Sequence, residues 1–123
     1  MGLDQYAYKV KRDYNSDSKT ETITKVEIAY WRKHNALEGY MCDLFHSKGG
    51  DGEFNCRTLP LSNDDLDTLE KAIEGKKLPE TDGSSFGEDT SKDEECKELD
   101  KLFIDKARSA IKDKWEIEYT SWW

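Results

Sequence analysis

The chain has few of the residues from which catalytic centres are usually built. Among its 123 residues are two histidines, three cysteines and two prolines. The cysteines (Cys42, Cys56, Cys96) form no CxxC pair and stand at no metal-ligand spacing with histidine. No GxSxG, HExxH, Walker loop or GxGxxG occurs; SKGGDGEF lacks the Lys-Ser/Thr and the following helix that a phosphate cradle needs. No apolar run approaches membrane-spanning length. The opening MGLDQY reads as no secretory signal, and Tyr6 stands where a myristoylation motif needs Ser or Thr. The expectation is a cytoplasmic protein with reduced thiols, no enzymatic activity, no cofactor and no metal. Cys42 and His46, at i and i+4, share a helix face, but a zinc site would need two further ligands.

Positive charge is also short. Against 19 Lys and Arg stand 27 Asp and Glu, a formal net charge of −8. Such a surface repels nucleic acid and anionic membranes, so neither is an expected direct partner. It suits solubility, or a basic or nucleic-acid-binding protein as partner. The acids concentrate between Asp64 and Asp105, where Asp64, Asp65, Asp67, Glu94, Glu95 and Glu98 are candidate partner-binding residues.

Aromatic residues are plentiful: four Trp, six Tyr and four Phe, each able to bury a large area. Their spacing gives the architecture. Residues 3–12 alternate, with Tyr6, Tyr8 and Val10 on one face, and TITKVEIAY alternates again through Thr24, Val26 and Ile28. The polar stretch 13–20 between them makes an antiparallel hairpin. From about Ala29 the period becomes helical, with Tyr30, His34, Leu37, Met41 and Leu44 on one face, until SKGGDG ends the helix. EFNCRTL reads as a short strand.

Ser62, with Asp65 at the third helical position and Leu61 and Leu66 as a staple, opens a second helix striped by Leu66, Leu69 and Ile73 and closed at Gly75. A loop follows over 78–91, long enough to be functional or disordered. Ser91 to Glu94 then caps a third helix with Cys96, Leu99, Phe103, Ala107 and Ala110 inward and Leu102 and Ile111 beside them. Trp115, Ile117 and Tyr119 return to period two, a C-terminal strand expected to cover the Tyr face of the hairpin. The fold class is α+β in a single domain, 1–123: a small antiparallel sheet with about three helices on one face.

YWRKHN, residues 30–35, packs two rings, two cations, an imidazole and an amide into one stretch. If it fills the first turns of a helix, Trp31, Arg32, Lys33 and Asn35 together suit a nucleotide-like anion beside a planar ring. The same residues equally suit a structural reading, with the rings and His34 in the core and the cations paired to acids.

MGLDQYAYKV, AYWRKHNALEGYM, LPETDGSSFG and YTSWW together resemble a group of small bacteriophage-encoded proteins that begin Met-Gly-Leu-Asp-x-Tyr, carry Trp-Arg-Lys-x-Asn and finish Ser-Trp. The resemblance spans most of the chain, although Ser84 and Ser85 stand where larger rings are common in the group. It implies an accessory protein working in the cytoplasm of a bacterial host. By analogy, it implies a binding protein that occludes a host or defence protein.

Overall fold

The structure is a computed structural model that describes residues 3–52, 54, 57–75 and 94–122, with the side chains of the last helix described from Cys96 onward. The 78–91 loop, the Ser91 capping box, Cys56 and Trp123 lie outside the described residues. Seven elements follow in order: β1 (Asp4–Asn15), β2 (Thr20–Arg32), α1 (Asn35–Ser47), β3 (Thr58–Leu61), α2 (Asn63–Glu74), α3 (Glu94–Lys112) and β4 (Glu116–Trp122). The strands form one antiparallel sheet ordered β2-β1-β4-β3. This is the expected α+β class, with the N-terminal hairpin and the C-terminal strand paired as expected.

The hairpin is longer than its polar composition suggests. Both strands run into the stretch read as loop, and the turn takes only residues 16–19. Asn15 makes it: its Oδ1 accepts from the amides of Asp17 and Ser18, and Lys19 takes the left-handed conformation (φ 55). β4 pairs with β1 only up to Val10, so residues 11–15 and 20–24 project as a two-stranded arm.

The face of β1 turned to the core is the reverse of the one expected. Leu3, Gln5 and Ala7 are buried; Gln5 opposes Trp31 and Ser121, and Ala7 opposes Ala29 and Tyr119. Directly opposed residues share a face, so Tyr6 and Tyr8 lie on the other one and β4 does not cover them from the core side. The interior row wins because Gln5 is held there by three hydrogen bonds, while the tyrosine hydroxyls stay in reach of water on the outside. β2 carries a bulge: Ala7 opposes Ala29 and Tyr8 opposes Glu27, leaving Ile28 without a place in the ladder. Val10, beyond the bulge, is buried outside the main core.

The first helix also begins later than expected. The chain stays extended through Arg32, because Tyr30, Trp31 and Arg32 pair with Tyr6, Gln5 and Asp4. It turns at Lys33 (φ 61), whose amide donates to Leu3 O at 2.8 Å. His34 is the N-cap and α1 starts at Asn35. Leu37 and Met41 are buried as the stripe requires. Gly49, left-handed at φ 93, follows the C-cap and donates to His46 O.

α2 forms as its sequence dictates. Ser62 Oγ accepts from the Asp65 amide at 3.2 Å, Asp65 Oδ2 accepts from the Ser62 amide at 2.8 Å, and Leu61 and Leu66 are buried. The strand expected over 53–59 is β3 at Thr58–Leu61. It includes Pro60, which an edge strand tolerates. α3 packs Phe103, Ile104, Ala107 and Ala110 into the core with Trp31, Leu37, Met41, Leu66, Leu69, Ile117 and Tyr119.

Candidate functional site

Building upward from residues 31–35, the strand-to-helix switch points neighbouring side chains in opposite directions. Trp31 is 1% exposed; its ring meets Phe103 edge-on at 5.1 Å, and Nε1 donates to Asp100 Oδ1 at 2.9 Å. Asn35 is wholly buried, Arg32 is exposed and Lys33 is half-buried. The structure therefore does not gather Trp31, Arg32, Lys33 and Asn35 on one surface, and no face of Trp31 is open to a ligand ring.

His34 completes a buried polar cluster. Its Nδ1 accepts from the Leu37 amide at 3.4 Å, so Nε2 carries the proton and donates to Asp100 Oδ2 at 3.0 Å. Asp100 thus holds two donors from β2 and the β2-α1 turn. Gln5 links this cluster to the next one. Its Oε1 accepts from the His34 amide, and its Nε2 donates to His34 O and to the Tyr119 hydroxyl. Tyr119 in turn donates to Glu38 Oε1 at 2.8 Å, and Ser121 Oγ donates to Glu38 Oε2 at 2.7 Å.

Burial raises the Glu38 carboxyl to about 7, against the opposing pull of these two hydroxyls. Burial, then the nearby Glu38 charge, pushes the Tyr119 hydroxyl well above its ordinary value. The histidine-carboxylate pair has the look of a catalytic dyad, but its second ring nitrogen caps a helix and Trp31 takes the other carboxylate oxygen.

Several other acids and one thiol also have identified surroundings among the described residues. Asp65 is held by the Ser62 amide and by Lys48, which also donates to Pro60 O at 2.7 Å. Burial alone would raise Asp65, but Lys48 and Ser62 outweigh it and the carboxyl sits below its ordinary value. Arg108 bridges Asp67 at 2.6 Å and Glu70 at 2.7 Å. Asp64 and Glu98 are exposed, and the side chains of Glu94 and Glu95 lie outside the description. Cys42 Sγ lies 3.9 Å from His46 Nδ1, but burial raises the thiol and His46 Nε2 donates to Gly52 O. Among the described residues, no three His, Cys, Asp or Glu side chains gather as metal ligands.

An open groove of about 660 Å³ lies between the start of β4, the first turn of α2 and the end of α3. Its cations, Arg12 and Lys48, already engage Glu116, Glu118 and Asp65.

The most unusual surface is the sheet face opposite the described helices. Tyr6 stacks with Tyr8 at 6.2 Å and touches Tyr30 at 5.2 Å and Trp122 at 6.0 Å. Tyr30 is 40% exposed and Trp122 56%. Tyr30 donates to Asp4 Oδ1 at 2.7 Å, a bond that pushes its own hydroxyl up to about 12. Lys25 Nζ sits 4.5 Å over the Tyr8 ring, a cation–π contact. Sequence reasoning turned Tyr6 and Tyr8 inward and missed this row. The available signal was Gln5, flanked by Leu3 and Ala7 in the competing row.

Fold and surface together define a four-stranded antiparallel α+β protein with a hydrogen-bonded polar cluster in its interior and a ring-lined outer sheet face. Compared with protein-family models, curated proteins and solved structures, the chain matches none.

Proposed function

We propose that the chain is a non-enzymatic binding protein, a phage accessory factor that occludes a basic or nucleic-acid-binding host or defence protein. The observation that carries this reading is the ring row Tyr6, Tyr8, Tyr30 and Trp122 on the outer sheet face. Exposed Tyr and Trp are the residues that dominate binding energy at protein interfaces, because they bury large area with few rotatable bonds. The net charge of −8 and the exposed acids Asp64 and Glu98 supply a field that favours a basic partner.

The test is capture from host lysate by tagged wild type and by a Trp122→Ser variant, each at low and high ionic strength. The expected result is a partner held by wild type at low salt, released at high salt and lost by the variant. Recovery of the same proteins by both, or of nothing at low salt, overturns the reading.

A further inference from the structure

The two edges of the sheet are built differently. β3 is four residues long and carries Pro60, both of which discourage a further strand. β2 has thirteen residues, TETITKVEIAYWR, without proline or glycine and rich in β-branched and aromatic types. Every residue from Thr20 to Glu27 is exposed. Its first five residues belong to the projecting arm, and a two-stranded ribbon is marginal on its own in water.

We propose that two copies of the chain associate through β2, antiparallel about a two-fold axis at Val26, to make one continuous sheet. Charge complementarity within the strand fixes the register. Ile28 is already skipped in the ladder with β1. Skipping it again places Lys25 opposite Glu27, Thr24 opposite Ala29, Ile23 opposite Tyr30, and Glu21 opposite Arg32, each twice. All four charged residues of β2 then face the opposite sign, and each pair shares a sheet face. Centring the axis on Lys25 or on Glu27 sets that residue against itself, and centring it on Thr24 opposes Glu21 to Glu27.

Apolar surface agrees with this register. Ile23 is 55% exposed and Tyr30 40%, and each covers the other across the seam. Val26, 41% exposed, meets its own copy on the axis. On the helix side, a cleft of about 280 Å³ runs along the same edge between β2 and α3. Ile28, Leu102 and Phe103 line it, and the second copy's Thr22 and Thr24 come to lie beside it. Among the described residues, four of the six exposed large hydrophobics (Ile23, Val26, Tyr30, Leu102) therefore lie along this one edge, whereas Tyr6, Tyr8 and Trp122 of the ring row stay open to a host partner.

The test is sedimentation equilibrium of wild type, Lys25→Glu and Glu27→Lys, alone and mixed. Wild type is expected to dimerise. Each variant alone sets like charges together at two places and raises the dimer Kd by at least about tenfold. An equimolar mixture restores opposite charges at both places and recovers the dimer. Lys25 also contacts Glu118 and the Tyr8 ring of its own chain, but a folding defect is not rescued by mixing.

Oxidised Val26→Cys is expected to give a covalent dimer beyond any formed by wild type, and Ile23→Cys is not, which separates this register from one centred on Ile23. Wild type that stays monomeric throughout a concentration series, variants that dimerise like wild type, a mixture that fails to recover, or cross-linking through Ile23→Cys in place of Val26→Cys would each overturn the proposal.

Discussion

Replacing Glu38 by Gln tests the polar interior most directly. In the folded chain the carboxyl is raised from 4.5 to about 7. Below pH 4.5 it is protonated whether the chain is folded or not. As pH rises, the unfolded chain gives up this proton first and the folded chain retains it. Folding then takes up a proton, and stability falls with increasing pH until the folded group has also ionised. A shift from 4.5 to about 7 corresponds to a loss of about 3 kcal/mol, of which about 1 has gone by about pH 5 and nearly all by pH 8. Glutamine at this position does not titrate, and its amide can still bond the hydroxyls of Tyr119 and Ser121. Tyr119 remains protonated throughout, so it is not a second source of the slope.

Urea unfolding of both proteins between pH 5 and pH 8 makes the comparison, with the other titrating groups cancelling in the difference. Glu38→Gln is expected to gain on wild type by about 2 kcal/mol over that range, with m-values unchanged. Two stability curves that run parallel in pH would refute the assignment of Glu38 as a buried carboxyl titrating near neutrality.

Two further substitutions probe packing and bonding. Asp100→Leu removes the acceptor of both Trp31 Nε1 and His34 Nε2, leaves two buried donors without it, and is expected to cost at least about 3 kcal/mol in chemical denaturation; a loss under about 1 kcal/mol would mean that the pair contributes little. At Gly50 an added Cβ would lie 2.6 Å from Phe45 Cδ2, so Gly50→Ala is expected to lower stability by about 1–3 kcal/mol, read as a reduced melting midpoint. An unchanged midpoint would show that Phe45 moves aside freely.

What could be read from the sequence was local. Ser62, Asp65, Leu61 and Leu66 lie within six consecutive positions and specify the start of α2 without reference to the rest of the chain. The inward stripe of α3 and the alternation of β4 are equally self-contained. Residues 29–34 were not, because Tyr30, His34 and Leu37 fit a helix while Ala29, Tyr30 and Trp31 also fit a strand. Pairing with Asp4 to Ala7 decides between them, and that contact reaches across the hairpin.

The buried acids were hidden for the same reason. Asp100 lies in the apolar stripe of α3, four residues after Cys96 and three before Phe103, which is a legible oddity. Its partners Trp31 and His34 are 69 and 66 residues away, and those of Glu38 are 81 and 83 away. Periodicity cannot supply partners at such distances. Of the proposed ligand cluster at 31–35, composition was legible but direction was not, because direction depends on where the strand stops.

Direction in β1 follows from hydrogen bonding more than from hydrophobicity. By apolar content alone, Tyr6, Tyr8 and Val10 make the better interior row, and Leu3, Gln5 and Ala7 the poorer one. A slip of one residue would exchange the two rows. It would carry the Gln5 amide out of the core and strip His34 and Tyr119 of three bonds that it makes. Each buried group left unsatisfied costs about 1–3 kcal/mol, which outweighs the modest gain from burying tyrosines that are already half-covered on the outside. The slip would also misalign Tyr119 and Ser121 against Glu38. The interior polar network therefore holds β1 in the register that turns the rings outward. The bonds of Gln5 to His34 and Tyr119 are therefore what leaves Tyr6 and Tyr8 beside Tyr30 and Trp122 on the outer face.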